Sequence, residues 1–369
     1  MSDFSRKRIF GLDVVRSFAI VMVLISHARQ ALVDPDSGLV LTFGGWFGVE
    51  LFFALSGFLI GTILIKLFTR RISPSRMGRF WFRRWMRTLP AYFFLLIIYW
   101  GVFGQVQFSD FILLQWPINH NQGVIPVSWS LAVEEWFYII FPLTASASAA
   151  LFRKRGMLVA IMVSIAIPLF FRVYQYNFGM DGMAIRVNPF RFDGMAYGVL
   201  AAYLMTKPTV RAAFEKNWLT IAFAAALLFT LDFLRYNGAR IGFPLPFRIP
   251  AWHDNITSYM ASGLCAALIV IIFYLHSPHI GKICSSLIMY ISKISYSLYL
   301  WHLLIFRYAL QYFQDSRGVT LYFAVIAAAI LLSCIPYILI EVPFMKVRDY
   351  FTSNRRSHQK SVVGSSRLR

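Results

Sequence analysis

Arg16 and His27 are the first residues in this chain whose types and spacing could do chemistry. Both lie in or at the edge of the apolar run 8–31, where an ionisable side chain costs several kcal/mol in hydrocarbon and is seldom retained without a use. At 100° per residue, eleven positions bring them within about 20° of one helix face and roughly 16 Å apart along the axis. That face carries a fixed cation nearer the N-terminal end. Near the other end it carries an imidazole, the side chain suited to proton transfer close to neutral pH. Snorkelling explains Arg16 alone, and an interhelical hydrogen bond explains His27 alone. The pair favours function.

Other polar groups punctuate the apolar segments. Glu50 follows Gly44-Gly45-Trp46-Phe47-Gly48-Val49 and reads either as an interfacial carboxylate or as a partner for His27. Ser56, Gly57 and Gly61, deeper in the same run, suit close helix approach. Arg83, Arg84 and Arg87 form a cationic cluster, with the last two on one helical face. Such a cluster fixes topology and holds headgroups, or it binds a polyanion through bidentate guanidinium contacts. Two adjacent carboxylates, Glu134 and Glu135, stand in the aromatic run after Trp129. Glu134 is the stronger functional candidate, with Arg16 or His27 available to pair with it. Arg191 and Asp193 read as a local cap or an interhelical tie. Ser295, Tyr299 and His302 form a polar stripe at i, i+4, i+7, and Glu341 closes the last apolar run at the depth of Arg84 and Arg87. His276 and His279 have no further ligands around them, so no metal site is expected.

The elements that must position these groups are membrane helices. Of the 369 residues 58% are hydrophobic and 17% aromatic, beyond what soluble domains carry. The apolar runs predict an all-α polytopic bundle of about ten spans: Ile9–Ala31, Trp46–Phe68, Thr88–Phe103, Trp129–Leu151, Met157–Tyr174, Phe190–Met205, Trp218–Tyr236, Ile256–His276, Leu287–Tyr312 and Val319–Met345. A short segment, Phe108–Trp116, is expected at the interface. The first run lacks a small-x-small exit and reads as a retained anchor.

Most of the 36 Lys and Arg fall on one side if the N-terminus is cytoplasmic, in the Lys66–Arg87 stretch, at Arg153-Lys154-Arg155 and after Lys346. The opposite loops collect most of the acids, so both termini are expected inside. The net charge of +20 is thereby accounted for by topology and attraction to lipid, and no nucleic-acid partner is expected. Cys265, Cys284 and Cys334 have no paired spacing and give neither a disulfide framework nor a zinc site. A membrane domain over residues 1–350 and a disordered basic cytoplasmic tail over 351–369 complete the expected organisation.

Seven stretches together resemble the integral-membrane acyltransferase 3 family. They are GLDVVRSFAIVMVLISH (Arg16, His27), GVELFFALSGFLIG (Glu50), FRRWMRTLPAY (Arg84, Arg87), WSLAVEEWFY (Ser130, Glu134), RFDGMAYG (Arg191), ISYSLYLWH (Tyr299, His302) and EVP (Glu341). Each is weak alone; seven in the family's order are specific. This chain departs from the pattern at Trp136, where the family commonly has Gln, and at Asp193, where the acid often lies one place later. The extracytoplasmic hydrolase-like domain that some members carry is not expected here.

The resemblance implies a ten-span layout in a bacterial inner membrane. It also implies an acyl-CoA co-substrate, most simply acetyl-CoA, with no bound cofactor, and a hydroxyl acceptor on an envelope, exopolysaccharide or lipid-linked saccharide. On that footing His27 is expected to act as general base, with Glu134 or Glu50 orienting the imidazole. Arg16 would hold the acyl or pantetheine arm and Arg84 and Arg87 the donor phosphates. Glu341, Glu50, Ser130, Tyr299 and His302 complete the candidate donor- and substrate-binding set. Transfer could run directly or through an acyl-enzyme on His27 or a serine. The competing classes are a secondary transporter, which should show broken helices and repeats, and a non-catalytic scaffold of glycan assembly. Oligomeric state is not legible in the sequence.

Overall fold

The structure, a computed structural model, describes residues 8–32, 39–68, 73–104, 106–115, 123–178, 191–237, 256 and 258–352. Every regular element among them is helical. In order they are α1 (Phe10–Ala28), α2 (Leu39–Phe68), α3 (Pro74–Phe103), the single turn α4 (Phe108–Phe111), α5 (Ser128–Phe152), α6 (Gly156–Asn177), α7 (Asp193–Leu204), α8 (Pro208–Lys216), α9 (Trp218–Asn237), α10 (Ser258–Leu275), α11 (Lys282–Tyr312) and α12 (Val319–Leu332). The chain continues through Cys334–Pro336 and a π-helical turn, Tyr337–Glu341, into helix again over 342–352. The basic tail beyond 352 lies outside the described residues.

Eight segments among the described residues are long and apolar enough to cross a membrane. Two features separate this from the ten expected. Residues 128–177 form one helical stretch through a 3-10 turn at Arg153–Arg155, yet α5 and α6 pack against each other, so the chain reverses at that turn. The sixth expected span is a helix of only 12 residues, α7, about 18 Å long and short of a hydrocarbon core roughly 30 Å thick. The interfacial segment is the one-turn α4.

α1 and α2 form the centre, packed on each other and against α7, α10 and α11. Large apolar side chains such as Ile20, Leu24, Leu51, Leu55 and Leu64 are fully enclosed between them. Lipid supplies no hydrophobic drive for helix association, so close contact depends on small residues. On α2, a Cβ at Gly57 would overlap the Met195 backbone of α7. On α7, a Cβ at Gly198 would overlap the Ala54 carbonyl of α2. Gly57 and Gly61 therefore do serve helix approach, whereas Ser56 lines a cavity instead.

α11 runs parallel to α1: Ser17 donates to the Ile288 carbonyl at 2.7 Å, and ten residues on His27 meets His302. α3 lies antiparallel to α5, with Trp81 donating to the Tyr138 carbonyl and Thr88 to Glu135. These directions gather the starts of α1, α3 and α11 at one end of the bundle. Arg8, Arg83, Lys282 and Lys293 make that the basic end.

Candidate active site

Two cavities at and above the basic end share a pair of arginines. The wider, about 490 Å³, is lined by Arg8, Arg16, Lys66, Arg87 and Lys293 on its cationic side, with Asp13 and Glu341 as its acids. The narrower, about 80 Å³, lies deeper and is lined by Arg16, Arg84, Arg87, Ser130, Glu134 and Tyr299, among others. Arg16 and Arg87 stand in both walls and so form the neck between them.

The carboxylates near the neck are already engaged. Asp13 accepts from Arg8 at 2.5 and 2.9 Å and from Ser292 at 2.6 Å. Glu341, on the π-helical turn, accepts from Ser297. Glu134 accepts from Arg84 at 2.7 Å and from Tyr138, whose ring lies 4.3 Å beneath the same guanidinium. Arg16 and Arg87 have no carboxylate within ion-pair distance among the described residues. Two half-buried guanidinium groups without an ion-pair contact thus face a cavity, an arrangement suited to a phosphorylated or otherwise anionic ligand.

The other end of the site is a histidine pair. His302, fully buried, has Nδ1 3.1 Å from the Leu298 carbonyl and 2.8 Å from the Tyr299 carbonyl. Carbonyl oxygens only accept, so this nitrogen carries the proton and Nε2 of His302 is the acceptor. Nε2 faces His27 Nδ1 at 2.8 Å, and His27 Nδ1 must therefore be the donor. The ring centroids are 5.0 Å apart and the planes 7° from parallel. The lone pair of neutral His27 is left on Nε2. His27 also lines an open pocket of about 600 Å³ at the end of α1 away from the basic end, facing Gln30, Arg307, Gln311, Gln314 and Arg317.

Between the neck and the histidines lies a hydroxyl pair. The Ser130 and Tyr299 hydroxyls lie 2.6 Å apart, and each also reaches the Val127 carbonyl, at 3.1 and 3.3 Å. Tyr299 lines the narrow cavity with its side chain and takes the His302 proton on its backbone carbonyl. One residue thus joins the wall of the neck to the support of the imidazole pair.

A family model described as an acyltransferase domain matches residues 9–338. This chain belongs to the acyltransferase 3 family. Among relatives of this acyltransferase 3 chain, O-acetyltransferase OatA of Staphylococcus aureus (strain NCTC 8325 / PS 47) is 25% identical over 371 residues, covering 93% of this chain and 58% of the relative. A second S. aureus protein, from strain COL and named only provisionally as an O-acetyltransferase, is 28% identical over 367 residues, covering 91% of this chain and 57% of the relative. The chain therefore spans less than two thirds of the length of these relatives. No solved structure matches it.

The acyltransferase 3 motifs converge less uniformly than the sequence implied. Arg16, Arg84, Arg87, Ser130, Glu134 and Tyr299 do share one cavity, and Glu341 joins Arg16 and Arg87 in the other. The carboxylate expected to orient His27 is a different group. Glu134 is held by Arg84, and Glu50 by a buried ion pair with Arg191. His302, expected to bind substrate, is the partner of His27 instead. Arg84 is likewise engaged by Glu134, whereas Arg16 and Arg87 make no ion-pair contact among the described residues.

The sequence reading missed a second buried ion pair, Arg172 with Asp193, whose guanidinium also donates to the Ile256 carbonyl at 3.0 Å. Tyr259 lies 4.3 Å from the Arg191 guanidinium and 5.3 Å from that of Arg172. The two pairs tie α2, α6 and α7 together beside α10, so Arg191 and Asp193 are interhelical ties and not a cap. The only signal available was Arg172 itself, a lone cation in an apolar run. The unusual Trp136 has a local use too: its indole donates to the Leu113 carbonyl at 3.0 Å, in the turn that follows α4.

Proposed function

We propose that this protein moves an acyl group, acetyl in the first instance, from a cytosolic acyl-CoA to a hydroxyl of an envelope, exopolysaccharide or lipid-linked saccharide. The observation that carries the reading is the direction of the two free functionalities. Arg16 and Arg87, which make no ion-pair contact, face the cavities of the basic end, while His27 lines the pocket at the opposite end. With the basic end cytoplasmic, as the excess of Lys and Arg there argues, donor and acceptor approach one line of polar groups from opposite sides.

In this mechanism the phosphates of the donor rest against the cations of the wide cavity. The pantetheine arm passes Arg16 and Arg87 into the narrow one, along Ser130 and Tyr299. His27 Nε2 removes the proton of the acceptor hydroxyl, and that oxygen attacks the thioester carbonyl carbon. The tetrahedral intermediate collapses with cleavage of the carbon–sulfur bond. The imidazolium returns its proton to the departing CoA thiolate, so protons and charge balance. His302 keeps Nδ1 of His27 occupied and its lone pair on Nε2, the role a carboxylate has in hydrolase triads. A neutral imidazole stabilises an imidazolium less than a carboxylate does, but it introduces no further charge into the membrane.

The test is acyl transfer from labelled acetyl-CoA by the full chain in lipid nanodiscs, with and without His27→Ala. Loss of transfer with CoA binding retained is expected. Turnover by His27→Ala at the wild-type rate would remove the base and the reading with it.

A further inference from the structure

The pocket in front of His27 has a composition that the transfer reaction alone does not require. Arg307 and Arg317 stand in its wall with Gln30, Gln311 and Gln314, and among the described residues no carboxylate does. Neither guanidinium has an ion-pair partner among the described residues; Asp315, close in sequence, is exposed and outside the wall. Topology does not account for them, because they lie at the end of the bundle opposite the basic one. The helix dipole does not account for Arg307 either. It sits five residues before the last residue of α11, beyond the final turn where that attraction acts.

Arg307 is held at its guanidinium and Arg317 at the adjoining backbone. The Arg307 guanidinium lies 4.2 Å over the Phe103 ring, which fixes its plane without neutralising its charge. Arg317 precedes Gly318, whose amide donates to the Ala31 carbonyl at 2.9 Å and pins the segment beside the end of α1. Arg307, Gln311 and Gln314 follow one another at i, i+4 and i+7 from a point about 7.5 Å along the axis beyond His302. Amide groups suit sugar hydroxyls, and guanidiniums suit an oxyanion.

We infer that the acceptor is an anionic saccharide, in which a carboxylate or phosphate is received by Arg307 and Arg317 while a hydroxyl is presented to His27. This rests on the acyl-transfer reading for the role of the hydroxyl; the charge preference of the pocket rests on its wall alone.

The experiment is calorimetric binding to the full chain in nanodiscs without donor, using methyl glucuronoside, methyl glucoside 6-phosphate and neutral methyl glucoside. At least one charged glycoside should bind roughly ten-fold more tightly than the neutral one, the order expected of charge-assisted contacts. The tighter of the two identifies carboxylate or phosphate as the group read. Arg307→Gln with Arg317→Gln should bring charged and neutral ligands level while the neutral affinity holds; the paired Lys substitutions should keep the preference. A collapsed pocket would instead lose all three ligands in the Gln variant. Equal binding of charged and neutral glycosides by wild type, no binding of any of them, or a preference that survives the Gln variant would overturn the inference. Acetyl-CoA turnover, measured separately on wild type, reports on the transfer reading and not on the charge preference.

Discussion

His27 Nδ1 stands 2.8 Å from His302 Nε2, and the second ring is anchored by its own Nδ1 on two carbonyls of its helix. The parallel packing of α1 and α11 sets this contact, which joins residues 275 positions apart. A neutral imidazole positioned in this way has one tautomer available.

Removing His302 should cost turnover and spare donor binding. For His302→Ala the imidazole of His27 loses its acceptor, and kcat is expected to fall about 10²-fold or more, within the range general-base catalysis supplies. KM for acetyl-CoA should not move. His302→Gln offers an amide oxygen to the same donor and should recover part of the loss. Steady-state kinetics of both variants separate this from simple unfolding, since a structural defect would not be rescued by an amide.

Arg87→Ala should act at the donor. A lost charge-assisted contact to phosphate is worth roughly 1.5–3 kcal/mol, so CoA affinity should weaken about 10- to 100-fold. Arg16→Ala should behave in the same direction, and Arg84→Ala less so, because its charge is already spent on Glu134. Equilibrium binding of CoA decides it: equal losses at all three positions would mean that the neck does not discriminate the free cations.

Glu134→Gln tests the correction of the imidazole's partner. Glu134 is bonded to Arg84 and Tyr138, its side chain about 20% exposed. The variant should leave the pH profile of acyl transfer unchanged and release Arg84 as a third free cation, tightening CoA binding. A shifted profile would return Glu134 to the histidine.

Glu50→Gln should be a stability variant. Glu50 and Arg191 are almost fully buried, and stripping one partner from a buried pair costs about 3–5 kcal/mol through the charge left behind. Thermal unfolding in detergent should show a clear drop in midpoint, with specific activity of the surviving folded fraction retained. An unchanged midpoint would argue that the pair does not hold α2 to α7.

Gly57→Val should separate α2 from α7, because the added carbons overlap the Met195 backbone, not a side chain that can swing away. Reduced yield and a lowered unfolding midpoint are expected, with the conservative Gly57→Ala less severe. Hydrogen exchange over α7 is the direct measurement.

The apolar runs, their charge asymmetry and the acyltransferase 3 motifs were legible in the residues themselves, because bilayer thickness and lipid electrostatics act on composition and length, which sequence states directly. The same applies to Arg16 and His27, whose shared face follows from helical period alone. What the tertiary structure decided was pairing. Which cation meets Glu134, which residue supports His27, and which arginines stay free depend on the lateral neighbours and relative direction of α1, α3, α5 and α11. No local pattern encodes these, because one-dimensional spacing places a residue on a face and at a depth but does not name the helix opposite. Hence Glu134, one of two carboxylates expected to orient His27, stands with Arg84, and His27 stands with His302.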